Sequence, residues 1–182
     1  MQTNVDTVII NKMTSDDVDG VISIEQAAYG DHHWSRESFL SEINNELARY
    51  YSLHTPEGEM VGYAGCWHIL EEAHITTIAI APDFRRRKYA EALLKRIIDD
   101  CYKEKIKYIT LEVRVSNEPA IKLYAKYGFS SFGVRKGYYQ DNNEDALIMW
   151  TKNIFFDEFK EQYTKTIADL EGKINIQWAK KF

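Results

Sequence analysis

Little in this 182-residue chain bends or interrupts the backbone, since it holds only 3 prolines and 9 glycines. A disordered linker, a collagen-like rod or a low-complexity tract needs far more of both. No internal repeat is visible. Cysteine is almost as scarce: Cys66 and Cys101 lie in apolar runs and form no CxxC. Neither a disulfide framework nor a zinc site is expected, and a reducing compartment fits. The five histidines, His32, His33, His54, His68 and His74, lack metal-ligand spacing, so no metal is assigned. No apolar run approaches the ~20 residues that span a bilayer. Residues 1–7 are polar, without the basic-then-apolar pattern of a secretory signal, and a cytoplasmic location is the expectation. Positive charge is not in excess either. With 23 Lys and Arg against 28 Asp and Glu, the net charge of −5 argues against a dedicated nucleic-acid binder.

What the chain does have is the makings of one ordinary domain, 45% hydrophobic and 28% charged. Residues 8–13 read as a strand, and Thr14 to Asp17 as a capping box opening a helix with Val18, Val21, Ile22 and Ala28 on its apolar face. After a loop with Gly30 and Trp34, Ser35 caps a second helix carrying Phe39, Leu40, Ile43 and Leu47. Strands follow at 49–54, 60–70 and 73–81, the last stopped by Pro82. A basic loop, 85–88, leads into a helix with Ala92, Leu93, Ile97 and Cys101 on one side. Residues 106–115 are β-rich. Ser116 caps the next helix, Pro119 sits in its first turn, and Gly128 suits its left-handed end. Strands at 129–134 and 146–151, joined by a polar link, complete a mixed α/β (α+β) domain over residues 1–152. In the remainder, 153–182, Ile154, Phe155, Phe159, Tyr163 and Ile167 recur at helical spacing, which predicts a C-terminal helical extension packed on the domain or on a partner.

Three segments carry chemistry. Arg85-Arg86-Arg87-Lys88 stands between a strand and a helix start, whose free N–H groups and positive dipole end favour a phosphate. A solvated charge run is the plainer alternative. In Leu111-Glu112-Val113-Arg114, Glu112 and Arg114 share one strand face. Taken alone, Glu112 reads better as half of a salt bridge to Arg114 or another basic group than as a general base. On the next helix Ala120, Leu123, Tyr124 and Tyr127 share a side, and Tyr124 alone reads as a packed tyrosine with a polar tip.

Together these segments resemble the GNAT family of N-acetyltransferases. The likeness lies in the strand end Thr77-Ile78-Ala79-Ile80-Ala81-Pro82, in the arginine-rich loop entering a helix, and in Asn117…Ala120-Ile121-x-Leu123-Tyr124-x-x-x-Gly128-Phe129. It runs from about Val8 to Trp150. Leu111-Glu112-Val113-Arg114-x-Ser116-Asn117, Tyr138-Tyr139…Glu144-Asp145-Ala146-Leu147-Ile148-Met149 and Trp34-Ser35 followed by Phe39 are similar, more narrowly, to the RimI group. Those bacterial enzymes acetylate the N-terminal alanine of a small-subunit ribosomal protein. The resemblance implies a mixed central sheet flanked by helices and acetyl-CoA as co-substrate. It implies a pantetheine arm against the backbone of Ile78, Ala79 and Ile80, a pyrophosphate wrapped by Arg86, Arg87, Lys88, Tyr89, Ala90 and Glu91, and a contact from Asn117. It implies Glu112 as proton acceptor and Tyr124 as proton donor to the leaving thiolate, with a protein N-terminus, from a ribosomal protein, as the partner. An α-amine near ~8 is about a tenth neutral at pH 7, a lysine near ~10.4 under about a thousandth, so a carboxylate base suits the former better. Trp34, Tyr138 and Tyr139 are candidate walls of the acceptor site, with Asp141, Glu144 and Asp145 placed to attract a basic peptide. Lys88 departs from the family pattern, which has glycine there; the loop either keeps its shape with strain or holds the cofactor less firmly. An acetyltransferase acting on lysine or a small amine, a non-catalytic binding domain, and a nucleic-acid binder through 85–88 stay open as alternatives.

Overall fold

Alternation writes the sheet into the chain. In Tyr108-Ile109-Thr110-Leu111-Glu112-Val113-Arg114 the three aliphatic residues are buried and the other four half-exposed. The computed structural model describes residues 5–179. Its strands are β1 (Asp6–Lys12), β2 (Ala48–His54), β3 (Met60–Ile69), β4 (Glu72–Ile80), β5 (Tyr108–Arg114), β6 (Phe129–Arg135), β7 (Ala146–Thr151) and β8 (Ile174–Trp178). They form one sheet in the order β6-β7-β5-β4-β3-β2-β1-β8. Neighbours are antiparallel except β4 with β5 and β1 with β8, which run parallel.

The helices are α1 (Val18–Tyr29), α2 (Arg36–Ile43), α3 (Tyr89–Lys103), α4 (Glu118–Lys126) and α5 (Asp157–Glu171). Leu93, Leu94, Ile97 and Ile98 of α3 pack with Ile109, Leu111 and Phe159 on one face of the sheet. Val18, Val21 and Ile24 of α1 and Phe39 of α2 pack with Tyr50 and Tyr63 on the other. Central strands covered on both faces have no polar side to show, which is why β2 and β3 read as nearly continuous apolar runs. Leu47, expected on the second helix, lies outside it and is exposed, because Asn44 ends α2 by turning its amide back onto the Leu40 carbonyl at 2.9 Å. The cap of α4 is Asn117 rather than Ser116, its Oδ1 accepting the Ala120 N–H at 3.2 Å.

One irregularity shapes the functional edge. The β3–β4 register steps from Cys66↔Ile75 to Gly65↔Thr77, so Thr76 is an extra residue, a β-bulge. Its hydroxyl donates to the Gly65 carbonyl at 3.1 Å and lies 2.9 Å from the Tyr50 hydroxyl. Gly65 has to be glycine here, since a Cβ would sit 2.3 Å from the Tyr50 ring. Pairing of β4 with β5 runs from Glu72↔Tyr108 only as far as Ile75↔Leu111. From the bulge onward the two strands part, leaving a gap between Thr76 to Ile80 on one side and Glu112 to Arg114 on the other.

The C-terminal segment, expected as a helical extension, is the helix α5 followed by the strand β8. That strand lies beside β1 in the same sheet, from Asp6↔Ile174 to Ile10↔Trp178. Phe159, Tyr163 and Leu170 of α5 enter the core, and the Tyr163 hydroxyl donates to Asp99 of α3 at 2.7 Å. A five-residue alternation is too short to stand out by periodicity alone, so β8 escaped the sequence reading.

Candidate active site

Parallel neighbours end at the same edge of a sheet, so the helices that follow β4 and β5 bring the N-termini of α3 and α4 side by side at the mouth of the gap. Helix geometry leaves the first N–H groups of α3 without carbonyl partners. The loop before it folds Arg86 and Lys88 into left-handed conformations, φ +62° and +70°, which turn backbone N–H groups inward. A cavity of about 320 Å³ opens here, lined among others by Ile80, Phe84, Arg85, Arg86, Lys88, Ala90 and Leu123. Its walls, open helix end and unpaired strand edge suit a phosphate followed by an extended, amide-bearing arm, and so fit acetyl-CoA.

Lys88 thus keeps the glycine-like shape despite its side chain. Its ammonium is bound to Glu91 at 2.9 Å. Glu91 is buried, and also accepts from Lys126 at 2.7 Å and from the Tyr127 hydroxyl at 3.0 Å. Burial raises its pKa, but the ammonium groups of Lys126 and Lys88 outweigh it and hold the carboxyl below its ordinary value. The Glu91 side chain therefore ties α3 to α4 and is not free to meet a cofactor. Tyr89 is likewise largely buried, stacked on Phe84 at 6.4 Å, and with Glu91 it forms part of the cavity lining. Arg87 lies over the Phe84 ring at 5.2 Å, exposed at the loop surface. Ile78, Ala79 and Ile80 line the open edge of β4 beyond the bulge. Asn117 has its oxygen engaged in the α4 cap, leaving its amide NH2 available.

Glu112 sits across the gap on the sheet face away from α3. Its partner is not Arg114. One carboxylate oxygen lies 2.5 Å from His74 Nε2 of β4, and the other 3.3 Å from Arg135 Nε of β6. The bond to His74 is the largest influence and, with Arg135, lowers the Glu112 pKa against the opposing effect of burial. Arg114 instead reaches the β6–β7 link. It donates to Asp141 at 2.8 Å and Glu144 at 3.3 Å, with its guanidinium 3.9 Å from the centre of the Tyr139 ring. Glu144 also accepts the Ser116 N–H, and Asp145 pairs with Lys136 at 2.8 Å. Each of the three acidic residues expected to draw in a basic peptide is thus engaged by a cation of the chain, although Asp141 and Glu144 share the single Arg114.

Tyr124 stands on the α4 side of the gap, 5.6 Å ring to ring from Phe129. Its hydroxyl has no hydrogen-bond partner among the described residues. Burial raises its pKa, and Tyr29 and Tyr139 add to the effect, so the phenol stays protonated. Tyr138 and Tyr139 pack edge to face at 5.1 Å, and burial raises Tyr139 to about 12. Trp34 is partly exposed and packs on Phe39 at 5.6 Å, while its backbone N–H donates to buried Glu25 at 3.2 Å. Sequence reasoning missed His74, Arg135 and Glu25. The signal for His74 exists only once β4 and β5 are known to be parallel neighbours in this register.

An α/β sheet opened between two parallel strands, with a phosphate-binding helix start at the opening, is the architecture of a CoA-dependent acyltransferase. The sequence matches the profile of the acetyltransferase (GNAT) family over residues 18–129, and the chain belongs to that family. It is an acetyltransferase whose co-substrate is acetyl-CoA. It is 38% identical over 141 residues, 78% of this chain and 93% of the relative, to a Bacillus subtilis (strain 168) protein provisionally named a [ribosomal protein bS18]-alanine N-acetyltransferase. The Escherichia coli (strain K12) [ribosomal protein bS18]-alanine N-acetyltransferase is 36% identical over 143 residues, covering 77% of this chain and 94% of that enzyme. A crystal structure of the ribosomal-protein-S18-alanine N-acetyltransferase from Escherichia coli superposes with a TM-score of 0.73 at 34% identity, covering 80% and 94% of the two chains. No helix among the described residues is long and apolar enough to cross a membrane.

Proposed function

We propose that this enzyme transfers the acetyl group of acetyl-CoA to the N-terminal α-amine of a protein, an alanine of a small-subunit ribosomal protein, in the cytoplasm. The observation that carries this reading is the gap itself, with an ionised carboxylate, Glu112, on one side and a protonated, unpartnered phenol, Tyr124, on the other. In this reading Glu112 is the base that draws the proton from the incoming ammonium. The freed nitrogen lone pair then forms the C–N bond at the thioester carbon. A backbone N–H on the open edge of β4 faces the developing oxyanion. As the C–S bond breaks, Tyr124 gives its proton to sulfur and takes one back from the nitrogen of the new amide. Ile78, Ala79 and Ile80 align the pantetheine arm, the loop of Arg86, Arg87, Lys88 and Ala90 holds the pyrophosphate, and Asn117 offers its amide. Trp34, Tyr138 and Tyr139 wall the acceptor. An α-amine is more readily deprotonated than a lysine by such a group, which supports an N-terminal acceptor.

The test is transfer from acetyl-CoA to peptides beginning with alanine, with N-terminally blocked, lysine-containing peptides as competitors. Glu112→Gln and Tyr124→Phe are each expected to lose ~10²-fold or more in kcat. Full activity in both variants, or a preference for the blocked peptide, overturns the reading.

A further inference from the structure

We propose that the base is a pair, in which His74 is the group on which the proton from the acceptor ammonium comes to rest, while Glu112 holds the imidazole and balances its charge. This rests on the site proposed above and amends one step of it. A separation of 2.5 Å between Glu112 Oε2 and His74 Nε2 requires a proton between the two atoms. The carboxylate is an acceptor, so Nε2 is the donor. The second ring nitrogen, Nδ1, has no partner among the described residues, and the side chain is one-third exposed. A neutral imidazole with Nε2–H committed carries its only basic lone pair on Nδ1.

Glu112, by contrast, is fully engaged. His74 holds one oxygen and Arg135 the other. Both contacts favour its charged form and make it a weaker base than a free carboxylate. Other groups border the pair. Arg135 comes from β6, and Tyr138 and Tyr139 come from the β6–β7 link with their phenols protonated. From β3, Trp67 meets the His74 ring edge to face at 6.4 Å, and its indole N–H is taken by Glu42 of α2 at 2.5 Å. Glu72, two residues earlier on the same face of β4, is exposed. The proton balance is then closed. A water carries the ammonium proton to Nδ1, giving an imidazolium paired with Glu112. The amine lone pair forms the C–N bond, and the C–S bond breaks with its electrons on sulfur. Tyr124 protonates sulfur and regains a proton from the nitrogen of the new amide. His74 releases its proton to solvent.

The experiment compares kcat/KM against pH for the native enzyme, His74→Gln and His74→Ala. Gln keeps an N–H for Glu112 but cannot take a proton. The two possibilities predict opposite signs. If Glu112 alone were the base, removing His74 would raise its pKa and leave the rate equal or higher. If His74 is the acceptor, both variants fall ~10²-fold in kcat with little change in the KM for acetyl-CoA, and the acid limb of the native profile disappears. Added imidazole then restores part of the His74→Ala rate. Thermal protection by acetyl-CoA verifies that each variant is folded. Native-like rates and profile in His74→Gln, or a folded His74→Ala that imidazole does not rescue, overturn the proposal. Neither result touches the proposed activity, which fails separately if the N-terminally blocked, lysine-containing peptide is preferred to the one beginning with alanine.

Discussion

The cofactor loop makes a quantitative demand at Lys88, where a lysine holds a backbone conformation that favours glycine. At φ +70° a side chain bearing a Cβ costs about 1–2 kcal/mol relative to the right-handed region. Lys88→Ala keeps that cost and removes the ion pair to Glu91. The Lys88 side chain is 38% exposed, so the pair is worth about 0.5 kcal/mol. Glu91 is not orphaned, since Lys126 and the Tyr127 hydroxyl still hold it. Lys88→Gly loses the same pair and returns about 0.4–1 kcal/mol of freedom to the unfolded chain, but it escapes the left-handed cost. Glycine is therefore expected to be close to native in stability, and alanine lower than glycine by about 0.5–1 kcal/mol. For a chain of this size that separates the two melting temperatures by ~1–4 °C, read by circular dichroism. The KM for acetyl-CoA should stay within about threefold in both variants, because the Lys88 ammonium belongs to Glu91 and the grip is made by backbone N–H groups. Two results refute this account. One is alanine melting at or above glycine. The other is a tenfold rise in KM in both variants, equivalent to ~1.4 kcal/mol, which would give the ammonium the phosphate.

Gly128→Ala tests the seating of α5: a Cβ there would lie 2.7 Å from the Phe159 ring at φ +91°. Strain and overpacking together predict a loss of roughly 2–4 kcal/mol, or ~5–15 °C in Tm, with Phe159→Ala in the same chain relieving the packing part as a measurable non-additivity. Glu91 governs part of the acid stability. Its folded pKa lies below the unfolded value, so its contribution is complete above the ordinary carboxylate range and is lost as pH falls through the folded value. Glu91→Gln should cost about 1–2 kcal/mol at pH 7, and its urea midpoint should converge on the native one in acid; a constant difference down to pH 3 would exclude the assignment.

How far the molecule could be read from its sequence differs between fold and site. Strands such as β5 and β7 announced themselves by composition and period, with limits that hold within two residues, and helices such as α3 by the period of their apolar face. The acetyltransferase assignment rested on several segments at once. Roles were harder, because they depend on partners. Glu112 and Arg114 share a strand face, which suggested an ion pair; yet each turns to another element, Glu112 to β4 and β6, Arg114 to the β6–β7 link. The acidic residues of that link looked like bait for a basic peptide only while their internal cations were unknown. Tyr89 and Glu91 fell within a cofactor motif and line the cavity at the start of α3, but both are largely buried, and the Glu91 carboxylate is already held by Lys88, Lys126 and Tyr127.

Thr76 shows why the site needs a residue that no motif identifies. His74 pairs with Thr110 and Ile75 with Leu111, so an unbroken register would set Thr76 beside Glu112 and zip β4 to β5 along their length. No open strand edge would then remain for an extended arm, and the starts of α3 and α4 would close together. The bulge stops the zipper one residue past His74. Its hydroxyl contacts to Gly65 and Tyr50 hold that stop in place, and the absent Cβ of Gly65 makes room for the Tyr50 ring. His74 therefore belongs to the last stretch of β4–β5 pairing, and Glu112, still paired with Ile148 of β7, is the first residue of β5 beyond it, where its carboxylate borders the gap. The two can meet diagonally across the junction at 2.5 Å. One inserted residue thus opens the gap proposed to take the thioester and leaves the His74–Glu112 pair at its border.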